Sequence, residues 1–160
     1  MKDRRVLRGT CLAYNYEGPL HLVVDDGNFN DAWRVTRFNV APRDLSNSSA
    51  GGYDSFAVLA THADALNDPV VGNVVWWNWQ DRRQVAWTSL SIFGDSAPDS
   101  LGFNLIDPQH IVVRDLYFGL TAFNATGVTE FNYFIELERI KLDDNQAVMA
   151  IVQEEAQDVN

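Results

Sequence analysis

The chain has 160 residues, of which 46% are hydrophobic and 12% aromatic, and carries a formal net charge of −10. That length suits one domain with room for a core, and the composition excludes an intrinsically disordered chain. The acidic balance excludes a general nucleic-acid binder, because such binding rests on neutralising phosphates with Lys and Arg. The longest apolar runs, such as Ala147 to Val152, fall far short of the roughly 20 residues of a membrane helix.

In chain order, Arg4 to Tyr16 has no helical period and alternates like a strand, and Glu17-Gly18-Pro19 marks a turn. Lys2, Arg4, Arg5 and Arg8 cluster here, so residues 1–8 read either as a solvated strand edge or as a short basic arm, the one place for a nucleic-acid contact. No apolar segment follows Met1 to Arg5, so no secretory signal is expected. Cys11, the single cysteine, reads as a small buried hydrophobe rather than a nucleophile. Leu20 to Val24 forms a second strand. Asp25-Asp26-Gly27-Asn28 then makes a hairpin-type turn. Asp25, Asp26 and Asp31 are the best local oxygen ligands for calcium, although the acids around Gly27 do not follow the EF-hand order.

Trp33 to Ala41 reads as a strand ended by Pro42, and the polar, small stretch from Arg43 to Gly52 as an exposed loop. Ser55 to Thr61 is strand-like, and His62 to Val71 is a connection with room for a helical turn. The segment from Trp76 to Phe93 organises the chain, with four of the five tryptophans. Arg82 to Phe93 alternates as a strand, behind a turn at Gln80-Asp81-Arg82. Trp76 and Trp77 are adjacent and point to opposite faces of an extended chain, one inward and one outward or under a loop. Trp76, Trp77, Trp79 and Trp87 are therefore the candidate interface residues, since Trp is enriched at interface hot spots. Asp95 to Pro98 reads as a loop, Ile111 to Leu120 as a buried strand, Asn124 to Thr129 as a turn and Phe131 to Ile140 as the last strand. Asp143 and Gln146 have capping-box spacing. They open a short amphipathic helix over 143–157, with Val148, Ile151 and Val152 as the stripe that packs on the domain or on a neighbouring copy.

These elements predict an all-β fold: one domain over 1–160, an antiparallel β-sandwich or jelly roll of about eight strands, with a C-terminal helix. Catalytic signatures are missing. His21, His62 and His110 lie far apart, without metal-ligand spacing, and there is no phosphate loop, G-x-S-x-G or H-E-x-x-H. Glu136 and Glu138 share a strand face next to Arg139 and Lys141 and read as a solvated patch. Two N-x-S/T triplets, at Asn47 and Asn124, read as loop sequence. The chain is thus expected to be neither an enzyme nor a cofactor carrier.

Three stretches, Phe56 to Leu66 (FAVLATHADAL), Trp77 to Trp87 (WNWQDRRQVAW) and Asn132 to Leu142 (NYFIELERIKL), resemble small structural proteins of uncultured marine viruses; together they cover about a fifth of the chain. The resemblance implies a capsid-type β protein of the virion, with copies of itself and other virion proteins as partners. A carbohydrate-binding module that stacks sugars on an exposed Trp is the alternative reading, and a β-barrel enzyme with a site assembled from distant strands is the third.

Overall fold

The computed structural model describes residues 3–43, 53–72, 74–93, 99–124 and 130–157. Lys2, the polar loop beyond Arg43, the loop over 95–98, the turn over 125–129, the end at Asp158 and both glycosylation-type triplets except for Asn124 lie outside the described residues.

Among the described residues, eight strands form a β-sandwich of two antiparallel sheets. The three-stranded sheet has the order β1 (Arg4–Leu12), β8 (Glu130–Lys141), β3 (Asp31–Pro42). The five-stranded sheet has the order β2 (Leu20–Val23), β7 (Asp115–Asn124), β4 (Tyr53–Ala60), β5 (Gln84–Phe93), β6 (Asp99–Ile106). The alternation seen in the sequence works as two-faced strands should. Phe38 and Val40 from β3 and Phe131, Ile135 and Leu137 from β8 meet Leu59 from β4 and Leu116, Phe118 and Leu120 from β7 in one core. Phe38 and Phe118 join the sheets edge to face, ring centres 5.7 Å apart at 89°, the geometry that ring quadrupoles favour. Cys11 is buried in this core; burial, with Glu17 nearby, pushes its thiol up to about 12, so it behaves as a hydrophobe.

Several boundaries differ from the sequence reading, for local reasons. β1 stops at Leu12, where the Leu12 N–H donates to Glu17 Oε2 (2.8 Å), and residues Tyr14–Glu17 close one helical turn, α1. The expected strand from Ile111 begins only at Asp115, because Val112 is drawn across to Trp33 by two backbone hydrogen bonds of 2.8 Å. A strand absent from the sequence reading, β6, closes the five-stranded sheet. The basic residues Arg4, Arg5 and Arg8 are not a free arm, since they sit inside β1, paired with β8 along its whole length. Arg4 lies 3.5 Å from Glu136, and Arg5 donates to Val24 O (3.1 Å).

The helix α2 (Asp144–Ala156) has the predicted capping box at Asp143 and Gln146. Its packing face differs from the expected one. Val148 and Val152, with Met149 between them, are exposed, while Ala147 and Glu154 are buried. The helix is anchored by polar contact: Val113 N–H (2.8 Å) and Arg114 N–H (3.4 Å) donate to the Glu154 carboxylate. Asn30 Nδ2 fixes its start through Leu142 O and Asp144 Oδ1.

On the outer side of β7, Gly119 leaves a flat spot against which the chain before β5 lies. A Cβ there would sit 2.7 Å from Val75 Cγ1 and 3.2 Å from Tyr14 Cδ2. Gly119→Ala is expected to lower unfolding free energy by about 1–3 kcal/mol through overpacking. Gly102→Ala, whose Cβ meets only Ser89 O at 3.8 Å, is the control and changes stability by less than about 1 kcal/mol in denaturant titrations.

Candidate interaction surface

The Trp segment is built around one side chain, Gln84, which is 2% exposed. A buried primary amide has two N–H donors and one oxygen with two lone pairs, and here all four are used. Nε2 donates to Ala65 O (2.8 Å) and Trp76 O (3.1 Å). Its Oε1 accepts from Asn78 N–H (2.8 Å) and from Trp87 Nε1–H (2.8 Å). One strand residue thereby fixes three points of the preceding loop and the Trp87 ring. Arg83 adds a second clamp, with bidentate bonds to Asp81 (2.9 and 2.8 Å) and a further bond to Asp64 (3.0 Å). Burial pushes the Asp81 carboxyl upward, but the Arg83 bonds outweigh it and hold the group below its ordinary range.

This loop covers only half of the outer face of the five-stranded sheet. Under it lies a second core of Val58, Ala60, Ala65, Leu66, Val75 and Trp87. Beyond it, the outer face stays open. A row of rings crosses it: Phe123 to Phe56 at 5.8 Å, Phe56 to Trp77 at 6.5 Å and Trp77 to Phe103 at 5.5 Å. Leu101 (66% exposed), Phe103 (42%) and Leu105 (40%) continue the row along β6.

The face that β6 turns outward is the unusual one. Leu101, Phe103 and Leu105 pair with Ser91, Ser89 and Trp87 on the solvent side. Ser100, Gly102 and Asn104 pair with Ile92, Leu90 and Thr88, residues turned to the interior. A half-buried strand normally hides its apolar side; β6 shows it. A second exposed apolar group, Val148, Met149 and Val152, lies on α2.

The four candidate tryptophans have different placements. Trp76 and Trp77 are both half-buried, so neither takes the wholly inward position expected. Trp77 Nε1–H donates to Ala57 O (3.1 Å), which leaves its ring lying over the aromatic row. Trp87 is buried within the chain and is a structural member rather than a contact. Trp79 is 62% exposed, edge-on to Trp87 at 6.3 Å. The residues missed by sequence reasoning are Leu101, Phe103 and Leu105; their signal was the i, i+2, i+4 apolar spacing.

The remaining candidates are engaged elsewhere. Asp25 and Asp26 accept backbone N–H groups of Gly27 and Asn28 in the turn. Asp31, with its side chain 1% exposed, is held by Lys141 and Arg139, and Arg139 also reaches Asp26 (3.6 Å). The bond from Lys141 foremost holds the Asp31 carboxyl below the ordinary value. Among the described residues no three His, Cys, Asp or Glu side chains come together to hold a metal ion. His21 stacks on Tyr117 and meets Asp115 (2.8 Å), His62 contacts Thr61 (2.9 Å), and His110 is half-buried. Glu136 accepts from Thr36 Oγ1 (3.1 Å) beside Arg4. No helix among the described residues is long and apolar enough to cross a membrane. Comparison of the chain with protein-family models, curated proteins and solved structures gives no match.

Replacing Gln84 by Met keeps the length but orphans Ala65 O, Trp76 O, Asn78 N–H and Trp87 Nε1–H. Unpaired buried groups cost about 1–3 kcal/mol each, less what local relaxation recovers. The expected loss is about 3–5 kcal/mol, with a collapsed tryptophan near-ultraviolet circular dichroism signal. A loss below about 1 kcal/mol contradicts the hub role.

Proposed function

We propose that this chain is a virion structural protein, capsid or capsid-associated, that works through self-assembly and contacts with other virion proteins. The observation that carries the reading is β6, an edge strand with its apolar side outward. Sheet edges are templates for pairing with another chain, and monomeric proteins guard them with charge, Pro, bulges or short length. The other edges here have such guards. β1 carries Arg4, Arg5 and Arg8; β3 carries Arg34, Arg37, Pro42 and a register shift between Val35 and Arg37; β2 has four residues. Between Ser100 and Ile106, β6 has no charged residue, no Pro and no break in its pairing.

The viral part of the reading is supported by the likeness of the segments 56–66, 77–87 and 132–142 to structural proteins of uncultured marine viruses. The net charge of −10 speaks for an outward shell, decoration or connector role rather than one lining the packaged genome. It also predicts that salt favours assembly, since screening weakens repulsion between acidic copies while the apolar contact is left intact.

Sedimentation velocity across concentration and salt tests this. The wild type is expected to form discrete oligomers, favoured by salt. The double variant Leu101→Asp, Phe103→Asp is expected to stay monomeric with an unchanged far-ultraviolet spectrum, while Val6→Asp on β1 assembles normally. A wild type that remains monomeric throughout, or a double variant that assembles as well as the wild type, overturns the proposal.

A further inference from the structure

We propose that the hollow beside Trp79 is a binding site for a neutral saccharide. It shares no lining residue with the row Leu101, Phe103 and Leu105, so it stands apart from the assembly reading. The hollow measures about 460 Å³, within the roughly 300–1,000 Å³ of small-molecule sites. It lies between the turn carrying Trp79, the connection carrying Asp107 and His110, and one face of α2. On that face Ala150, Gln153, Glu154 and Gln157 follow the i, i+3, i+4, i+7 spacing that puts them on one side of a helix.

Three features specify the ligand. Trp79 offers an open ring, held edge-on against Trp87, which suits the apolar C–H face of a pyranose. Polar groups line it without being used up: Gln157 Oε1 is shielded from solvent and has no hydrogen-bond partner among the described residues. His110 also lines the hollow; burial foremost, over the opposing charge of Asp107, holds its imidazole below the ordinary value. The charge around the hollow excludes an acidic ligand. Among the described residues, Asp81, Asp107 and Glu154 line it against a single cation, Arg82. Asp81 is held by Arg83, Glu154 by Val113 and Arg114, and Asp107 by Gln109 N–H (3.0 Å), so these carboxylates set the local potential and are not waiting for a cation. Hydroxyls that both donate and accept fit such a lining.

The test is titration of the full chain with cellotetraose, maltotetraose, chitotetraose in its N-acetylated form and, as the acidic probe, sialyllactose, read by intrinsic tryptophan fluorescence and by saturation-transfer NMR. At least one neutral oligosaccharide is expected to bind, and Trp79→Ala to weaken it by about tenfold or more. Gln157→Leu weakens it less. Both variants should keep the wild-type melting temperature, because Trp79 projects into solvent and Gln157 ends the helix. No binding of any neutral probe at millimolar concentration overturns the proposal. So does equal binding by Trp79→Ala, or a preference for sialyllactose. Sedimentation of the same samples separates this outcome from that of the assembly reading: a sugar-blind protein that still assembles removes the saccharide site alone.

Discussion

The structure turns on the amide of Gln84. A buried primary amide is costly unless every donor and acceptor finds a partner, and the four partners here come from three separate places: the 3₁₀ turn at Ala63–Ala65, the loop through Trp76 and Asn78, and the Trp87 ring. Satisfying Gln84 therefore requires the loop to be closed over the sheet. Once closed, the loop buries Leu66 and Val75 against Val58 and Trp87. It also receives a bond from β7, where Thr121 Oγ1 accepts from Val75 N–H (2.9 Å). The small face of Gly119 leaves room for that approach.

The reach of this loop decides what remains open. It ends its cover at Trp77, whose ring meets Phe56 and Phe103 and so forms the border between the buried and the exposed halves of the outer face. Past that border the sheet shows Phe123, Leu101 and Leu105 to solvent. Contiguous apolar surface on an unguarded edge is the physical signature of a contact surface. The opposite end of the same loop carries Trp79 away from the sheet and sets it over the polar side of α2. One hydrogen-bonded hub thus positions two different surfaces, an apolar one along β6 and a mixed one beside Trp79.

Much of the fold was legible in the sequence because alternation and turn residues act locally. Val, Thr and aromatic alternation marks the strand at Gln84–Phe93, and Asp143 with Gln146 marks the helix start, since a capping box closes within one turn. β6 was not legible. Its Leu101, Phe103 and Leu105 alternate properly, but Gly102 interrupts the pattern, and the rule that the apolar side faces the core points the wrong way for an outward-facing strand. The helix face was misread for a related reason. Val148, Ile151 and Val152 promised an apolar stripe, whereas the contact is the Glu154 carboxylate on two backbone N–H groups, which hydrophobic periodicity does not register. Gln84 offered no signal at all: its role exists only when Ala65, Trp76, Asn78 and Trp87 are brought together by closure of the loop.

Amide hydrogen exchange across β6 as the protein concentration rises tests the central claim most directly, that the outward apolar edge is where copies of this chain meet. Peptides spanning Asp99 to Ile106 are expected to gain protection with concentration, while those of β1 and β3 exchange as before. Exchange in β6 that is the same at every concentration, or protection that appears at β1 or β3 instead, would contradict the account.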